Sequence, residues 1–409
     1  MSNVIMIGCD LHEDTLMLKI AKGQETPETR LWKNTARDRQ RMVADLRKRA
    51  KAAGYVRVVF AYEASAAGFG LYDQLRGAGF EAYVLAPSKI PTSARQKKEK
   101  TDEKDALVLL KLVRAFVLAG NPLPAVWVPD AQTRDDRELV RTRLDVSVKI
   151  GLLKNQVKSL LKRNQVRRPS SLGKSWTRTF RAWLLASLIE PLNPAESPLN
   201  PGARQALASL VRQLDFLEKE QERLDRAVSA LVDAPRYLEA VRELTRLSGV
   251  GALTALVFLT EMGDLRRFAN RRQVAAYLGL APSCFESGRS NDRKGHITRQ
   301  GSPRVRRALC QASWASVRHD PQEKAAYARI AEKNPKKKKI AVVAAMRRLA
   351  VRMWHRGLRA GDGKAALPPD LPVSLRPSPP VEVGFSEVST GCPKGIKKRL
   401  GKGKAESRG

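Results

Sequence analysis

The first 90 residues alternate between short apolar runs and helix-like segments, and this alternation limits the possible folds more than any other feature of the chain. A helical stretch near Asp38–Lys51 separates strand-like runs that are rich in β-branched and aromatic residues. These runs are Val4–Asp10, Thr15–Ala21, Arg30–Lys33, Val56–Glu63 and Glu81–Ala86. Strands that alternate with helices predict an α/β sheet with helices covering its faces.

The rest of the chain shows the apolar spacing of helices. Two long amphipathic patterns, Arg134–Asn164 and Ala203–Val232, flank an irregular proline-containing stretch, which predicts a helical hairpin or coiled coil. Helical spacing with glycine-rich turns continues to about Arg359, and a Pro-, Gly- and Lys-rich tail follows, which we expect to be disordered. We therefore predict an α/β domain at 1–125, a helical domain at 126–235, a mainly α-helical domain at 236–360 and a tail at 361–409.

The charge balance indicates the class of partner. The chain has 76 lysines and arginines against 41 aspartates and glutamates, a formal net charge of +35. Such an excess favours polyanions, of which nucleic acid is the commonest. An anionic membrane surface is the rival partner, but the sequence contains no basic helix with an aromatic face that would support it.

The sequence also bears on compartment. No apolar run approaches the roughly 18–20 residues that span a bilayer, and the start MSNVIMIGCD lacks the features of a signal peptide. None of the four cysteines (Cys9, Cys284, Cys310, Cys392) lies in a CxxC pair, so neither a disulfide framework nor a zinc finger is indicated. We expect a soluble cytoplasmic protein.

Four carboxylates stand where a metal site could form. Asp10 ends the first apolar strand, and Glu63 ends the strand VRVVFAYE. Sites collect at the carboxyl ends of strands in open α/β sheets. Asp102 and Asp105, three residues apart, share one face of the helix that begins in KTDEKDALVLL. Together they could form an oxygen cage for one or two Mg²⁺ or Mn²⁺ ions, which suits phosphoryl transfer.

Each of these acids also has a local explanation. Asp102 after Thr101 is what the first turn of any helix prefers, because acids complement the helix dipole. Asp10 could open a polar turn, and Glu63 could be a solvated loop acid. The order strand–Asp, strand–Glu, helical Asp-x-x-Asp favours the cage. Nearby acids remain alternative ligands: Glu13, Asp14, Glu99 and Glu103.

A glycine-rich turn precedes an apolar helix in LTRLSGVGALTALVFLTEMGD. Gly249 and Gly251 would permit the tight turn of a helix-hairpin-helix, whose second helix could hold a DNA phosphate on its N-terminal amides. An ordinary helix–helix turn is the alternative, and a single GxG pattern does not separate the two.

A basic loop carries a serine between two helical segments. Ser287-Gly288 lies in this loop, and Ser302-Pro303 opens the next helix. The surrounding cations could attract a phosphodiester for a serine hydroxyl to attack. From spacing alone an ordinary turn is the more favoured interpretation, and His296 is a candidate helper. The cations are Arg289, Arg293, Lys294 and Arg299.

The order of these motifs resembles a known family. IGCDLHEDTLMLKIA, YEASAAGFGLYDQL and KTDEKDALVLL resemble the RuvC-like DEDD domain of bacterial insertion-sequence transposases of the IS110 type, to which Piv-type invertases are related. VRTRLDVSVKIGLLKNQVKSLL is similar to the family's linking helix, and LSGVGALTALVFLTEMGDLRRFANRRQVAAYLGLAPSCFESGRS to its C-terminal domain. The resemblance covers most of Val4 to Arg359.

This resemblance implies a function and a site. Asp10, Glu63, Asp102 and Asp105 would bind Mg²⁺, and Ser287 would be the nucleophile that links covalently to a DNA end. The active site would be composite, with the serine domain meeting the carboxylate domain in a homodimer or tetramer. The partners would be DNA and a structured non-coding RNA from the same element, in a nucleoid-associated bacterial protein.

The chain departs from the family pattern near the serine, where Glu286 replaces a small polar residue. Ser283 and Ser290 therefore stay open as alternative nucleophiles. Two rival functions also remain. One is a metal-dependent nuclease or Holliday-junction resolvase, in which water attacks. The other is a non-catalytic nucleic-acid-binding protein, in which the acids are ordinary turn and helix residues.

Overall fold

The computed structural model describes residues 4–52, 54, 57–91, 101–173, 175–193, 195, 197–284 and 294–360. The N-terminal part contains five strands: β1 (Val4–Leu11), β2 (Thr15–Lys22), β3 (Glu28–Lys33), β4 (Arg57–Glu63) and β5 (Glu81–Leu85). Its helices are α1 (Ala36–Ala52), α2 (Gly70–Gly77) and α3 (Asp102–Ala119), and a short 3-10 turn lies at Pro87–Lys89. The predicted α/β character of this part is confirmed.

The five strands form one mixed sheet in the order β3-β2-β1-β4-β5. β1, β2 and β3 make an antiparallel meander, whereas β4 is parallel to β1 and β5 is parallel to β4. β1 and β4 are therefore central neighbours that end at the same edge. Their register pairs Cys9 with Tyr62, which puts Asp10 and Glu63 side by side along that edge.

Strand alternation determines which face each acid occupies. Ile5, Ile7 and Cys9 of β1 pack with α1 and α2 on one face of the sheet. Val4 and Met6 pack with α3 on the other. Because successive side chains in a strand point to opposite faces, Asp10 shares the α3 face with Met6. The same alternation of side chains in β4 puts Glu63 on that face with Val59 and Ala61.

A glycine lets α3 lie directly on β1. A Cβ at Gly8 would be 2.2 Å from the amide nitrogen of Leu110 and 2.4 Å from the carbonyl oxygen of Ala106. Only glycine allows backbone to approach backbone this closely. This contact sets the position of α3 over the sheet, and with it the position of the acids in the first turn of α3.

The remaining structure is mostly helical, as predicted. The hairpin region contains α4 (Ala131–Arg163), α5 (Arg178–Trp183), a π-helical turn (Leu184–Ile189) and α6 (Pro201–Val232), with a 3-10 turn at Ser170–Leu172. The C-terminal part contains α7 (Pro235–Thr245), α8 (Ala252–Met262), α9 (Arg271–Tyr277), α10 (Pro303–His319), α11 (Pro321–Glu332) and α12 (Lys339–Ala360), with a 3-10 turn at Leu265–Arg267. The short strands β6 (Pro282–Cys284) and β7 (Lys294–Ile297) pair antiparallel, which the sequence did not predict.

The two long helices, α4 and α6, run antiparallel. Arg143 donates two hydrogen bonds to Asp225, at 2.6 and 2.9 Å, and further along the pair Lys154 lies 3.0 Å from Glu218. Apolar residues of both helices fill the seam: Val146, Ile150, Leu153, Leu214 and Leu224. Two long helices therefore lie where the two amphipathic patterns are, and they pack against each other.

The base of the hairpin joins the C-terminal core. Val140 of α4 and Val228 of α6 pack in the same cluster as Phe258 of α8. Arg141 donates to both carboxylate oxygens of Glu261, at 2.7 and 2.9 Å, and the Glu261 side chain is only 6% exposed. A buried carboxylate needs such a partner, since an unpaired buried charge is costly. This ion pair therefore ties α4 to α8.

The domain boundaries remain predictions. Past the predicted first boundary, the amide of Val126 still donates to the carbonyl of Val84, at 2.8 Å, so this segment continues along the edge of β5. The predicted disordered tail lies outside the described residues. None of the described helices combines the length and the apolar character that a membrane crossing requires.

Candidate metal centre

Asp10 is half-buried at the carboxyl ends of β1 and β4. This end of the sheet, where Asp10 and Glu63 lie beside the first turn of α3, is called the acidic edge below. The Asp10 side chain, one residue before the end of β1, is 13% exposed. Burial raises the pKa of Asp10, since removing water disfavours a charged carboxylate, and the nearby Asp105 and Asp102 raise it further. A contact with His12 acts in the opposite direction. The site thus concentrates negative charge that a bound cation would stabilise.

His12 joins the strand acid to the helix acid. Its Nε2 lies 3.1 Å from Oδ2 of Asp10 and 3.4 Å from Oδ1 of Asp102. Ligand atoms of Asp10, His12 and Asp102 all lie within 4.8 Å of one another. The sequence motifs did not single out His12. The only signal for it was the Asp-x-His spacing at a strand end, and this spacing by itself does not place a histidine near a distant helix.

The first turn of α3 has the geometry that the sequence predicted. Thr101 is the N-cap, and its hydroxyl accepts a hydrogen bond from the amide of Lys104 at 3.4 Å. This cap fixes where α3 begins, and so it fixes the directions of Asp102 and Asp105. Asp102 is 55% exposed, whereas Asp105 is half-buried and close enough to affect the pKa of Asp10.

Glu63 and the alternative acids take different positions. Glu63 is half-buried at the end of β4, beside the strand that carries Asp10. Glu103 lies 2.9 Å from the ammonium of Lys19, which holds its carboxylate in an ion pair over β2. Glu13 and Asp14 are exposed in the turn after β1. Glu99 lies outside the described residues.

The donor set fits a divalent cation. Carboxylate oxygens suit Mg²⁺ and Mn²⁺, and an imidazole nitrogen suits Mn²⁺ better than Mg²⁺. Two carboxylates held this close repel each other, and a dication between them would remove that repulsion. The candidate donor groups come from a central strand, the turn after it and a capped helix, so the fold would hold them in place before an ion binds.

The two glycines of the predicted phosphate-binding turn lie in different surroundings. Gly249 has φ +82°, and a Cβ there would be 2.3 Å from the carbonyl oxygen of Ala312 and 2.7 Å from the amide nitrogen of Ser316. Gly249 is therefore packed against α10. Gly251 is the exposed N-cap of α8, with open space where a Cβ would stand. Of these two glycines, Gly251 is the one that is exposed to solvent at the start of α8.

The serine loop lies mainly outside the described residues, and so do Ser287, Ser290, Arg289 and Arg293. Lys294 begins β7. Arg299 is exposed at φ +57°, and its amide donates to the carbonyl of Gly279 at 3.1 Å.

The alternative nucleophile Ser283 and the helix that follows the loop are described. The hydroxyl of Ser283 donates to the carbonyl of His296, at 3.1 Å, and so helps to join β6 to β7. Ser302 occupies the N-cap of α10 as predicted, but its hydroxyl accepts no hydrogen bond from that helix.

Comparison with known proteins identifies the class of the protein. A DEDD transposase model, described as "Transposase", matches residues 7–165, and a model described as "Transposase IS116/IS110/IS902 family" matches residues 241–328. Two proteins of Sinorhizobium fredii named as transposases are similar. The y4qE protein is 30% identical over 318 residues (77% of this chain and 72% of the relative), and the y4rJ protein is 31% identical over 331 residues (76% and 80%).

A more distant relative is the transposase for insertion sequence element IS1533 of Leptospira borgpetersenii. It is 23% identical over 315 residues, which cover 77% of this chain and 86% of the relative. The two models match the sheet region with the first long helix and the C-terminal helical region separately. The fold, the acidic edge and these matches define a transposase. The chain belongs to the IS116/IS110/IS902 family, here called the IS110 family.

Proposed function

We propose that this transposase cuts and rejoins DNA strands at a divalent metal held by Asp10, Glu63, Asp102 and Asp105. The observation that carries the proposal is the convergence of Asp10 and Asp102 on His12, although these acids are 92 positions apart in sequence. Side chains alternate between the two faces of β4, which puts Glu63 on the same face as Asp10. This supports the inclusion of Glu63 among the four acids. A RuvC-like arrangement of the N-terminal domain is part of this proposal, and the mixed sheet with its acids at the ends of β1 and β4 supports it.

The proposed metal is Mg²⁺ or Mn²⁺. Bound at this edge, it would supply Lewis-acid stabilisation of the charge on phosphate oxygens. The chain's own residues do the positioning. Asp10 and Glu63 project from the rigid centre of the sheet, and the Thr101 cap orients the first turn of α3. His12 holds the carboxylates of Asp10 and Asp102 toward each other.

The proposed nucleophile is Ser287, in the loop between β6 and β7. Its oxygen would attack a DNA phosphorus, forming a phosphoserine ester while the bond from phosphorus to a deoxyribose oxygen breaks. The leaving hydroxyl takes up the proton that the serine loses, and a second DNA hydroxyl later reverses the exchange. The pairing of β6 with β7 supports this proposal because it brings together the two described segments that flank Ser287 in the sequence.

Charge supports the proposed DNA contacts. Arg289, Arg293, Lys294 and Arg299 would bind phosphates around the loop, and Gly251 would offer the N-terminal amides of α8 in a helix-hairpin-helix-like element. Gly249 would shape that turn by packing on α10. The composite homodimer or tetramer and the structured non-coding RNA partner also belong to this proposal, and the net charge of +35 is consistent with both nucleic acids.

Trapping of a covalent protein–DNA product tests the proposal. The protein is incubated with plasmids that carry the ends and target of its own element, Mg²⁺ is added, and adducts that survive denaturation are measured. We expect adducts with the unchanged protein and with Ser283→Ala, and none with Ser287→Ala or Asp10→Asn. Cleavage without an adduct would instead establish the nuclease alternative. Binding without metal-dependent cleavage would establish the non-catalytic one.

A further inference from the structure

The end of the helical hairpin farthest from the sheet concentrates positive charge. From Val146 to Ile189 the chain carries ten lysines and arginines and no aspartate or glutamate. Two of these cations are neutralised by α6: Lys154 lies 3.0 Å from Glu218, and Arg181 forms ion pairs with Asp215 and Glu218. Lys158, Lys162 and Arg167 are exposed and form no ion pair with any described residue. The uncompensated charge therefore lies beyond the paired part of the hairpin.

This end of the hairpin is a folded unit with its own core. Residues of α4 (Val157 and Leu160) pack against Phe180 of α5, Leu184 of the π-helical turn and Leu207 of α6. Trp176 and Phe180 contact each other edge to face, with ring centroids 5.4 Å apart. The cations are thus carried on a fixed scaffold, which lowers the entropy cost of presenting them to a ligand.

The chain reverses at the end of α4 to build a cavity. Gln165 has φ +57°, a strained conformation for a residue other than glycine. The amide of Val166 donates to the carbonyl of Leu161 at 3.0 Å, and Arg168 donates to the carbonyl of Gly173. This reversal returns Arg167 and Arg168 to the side of α4 that carries Lys158 and Lys162. Residues from two segments therefore line one cavity of about 610 Å³.

The lining determines the chemistry that the cavity accepts. Its described residues include Lys158, Lys162, Arg167 and Arg168, with Ser175 as a neutral hydrogen-bonding group. None of the described lining residues is acidic. Two lysines one helical turn apart, together with two arginines in the same lining, suit several anionic oxygens on one ligand.

We propose that this cavity, the hairpin-tip pocket, binds the sugar–phosphate backbone of a double-stranded nucleic acid. Arg134, near the start of α4, contacts Asp73 of the N-terminal part at 2.8 Å. Lys158 lies 24 residues further along the helix, which at 1.5 Å per residue is roughly 36 Å. The pocket would therefore hold nucleic acid at a distance from the phosphate that is cut. This binding does not depend on the chemistry proposed for the carboxylates or for Ser287.

Equilibrium binding in EDTA tests the hairpin-tip pocket separately from cleavage. The full chain is titrated into a labelled 40-base-pair DNA duplex, and separately into an RNA duplex of equal length, at several salt concentrations. The test variant combines Lys158→Gln, Lys162→Gln, Arg167→Gln and Arg168→Gln. The matched control removes four exposed cations from the acid-containing face of α6: Arg212→Gln, Lys219→Gln, Arg223→Gln and Arg226→Gln. Circular dichroism checks that both variants fold.

We expect the test variant to lose at least about tenfold in affinity at 0.1 M salt. The slope of log affinity against log salt should fall by about one for each cation that contacts a phosphate. A loss for DNA alone, RNA alone or both supports the pocket and identifies the ligand. An unchanged affinity and slope for both duplexes would overturn the proposal. An equal loss in the matched control would also overturn it, because the effect would then come from total charge.

Discussion

Gly8 lies so close to Leu110 that a Cβ on the glycine would be 2.2 Å from the leucine's amide nitrogen. This contact between the central strand and α3 sets the distance between the two groups of acids. Gly8→Ala should destabilise the protein by about 1–3 kcal/mol, the usual cost of forcing extra volume into a packed core. It should also reduce transposition, because α3 would shift away from Asp10. Urea unfolding measures the first effect, and a transposition assay at a temperature where the variant is folded measures the second.

Gly151→Ala is the matched control for this substitution. Gly151 lies inside α4 with open space where a Cβ would stand, so alanine should stabilise the helix there by about 0.5–1 kcal/mol. Equal effects of the two glycine substitutions would show that close packing at Gly8 is unimportant.

His12 should contribute to metal affinity. Its Nε2 lies 3.1 Å from Asp10 and 3.4 Å from Asp102, so removing the ring frees both carboxylates to move. We expect His12→Ala to weaken Mn²⁺ binding by about 10-fold or more, in the range seen when groups that orient metal ligands are removed. Isothermal titration calorimetry measures this affinity. His319→Ala, at the exposed end of α10, is the control, and an equal affinity for the two variants would rule out the role of His12.

Arg141 should be needed for stability because it neutralises Glu261. The glutamate side chain is 6% exposed, and Arg141→Ala would leave its charge buried without this partner. We expect a loss of about 3 kcal/mol in the free energy of unfolding. The control Arg223→Ala breaks a solvent-exposed pair with Glu220 and should cost far less, because water and salt screen that pair. Urea denaturation of both variants distinguishes these values, and a small loss for Arg141→Ala would show that Glu261 finds water or another partner.

Asp145 should make the junction between α4 and α10 sensitive to acid. Arg304 donates to it at 2.6 Å, and this hydrogen bond holds the pKa of Asp145 below its ordinary value. Because the pKa of Asp145 is lower in the folded state, the pair stabilises the protein at pH values above the unfolded-state pKa of about 3.9. That stability is lost as the pH falls through the folded-state pKa. The stabilisation is small because the pair is partly exposed and screened by salt.

The variant Asp145→Asn tests this pair. At low ionic strength it should melt slightly below the unchanged protein at pH 6, and the difference should shrink below about pH 4. Differential scanning calorimetry at a series of pH values follows the change. A difference in melting temperature that stays constant from pH 6 to pH 3 would contradict the assigned role of the carboxylate.

Local sequence signals predicted much of the architecture. The apolar runs predicted the strands, and Thr101 followed by Asp102 and Glu103 predicted the start of α3, since both patterns depend on neighbouring residues. The alternation of side chains along β1 and β4 then puts Asp10 and Glu63 on the face of the sheet that α3 covers. The contact of His12 with Asp102 was not predictable in this way, because it depends on how α3 crosses the sheet at Gly8.

The region between the long helices was also not predictable in detail. Its prolines suggested an irregular segment, whereas Phe180, Leu184 and Leu207 form a core with α4. Phe180 and Leu184 come from short elements with no extended period, so the sequence gives little sign that they are buried together with Leu207 of α6. The cavity that contains Arg167 and Arg168 depends on the backbone reversal at Gln165, a residue type that rarely signals positive φ.

Direct measurement of metal binding tests the central claim, that Asp10 and Asp102 together hold a divalent cation. Mn²⁺ is titrated into the purified protein and bound ion is followed by electron paramagnetic resonance. The controls are Glu13→Gln and Asp14→Asn, which change exposed acids in the adjacent turn. We predict that the unchanged protein and both controls bind Mn²⁺ with similar affinity, and that Asp10→Asn and Asp102→Asn each lose this binding. Unchanged Mn²⁺ affinity in Asp10→Asn would contradict the account.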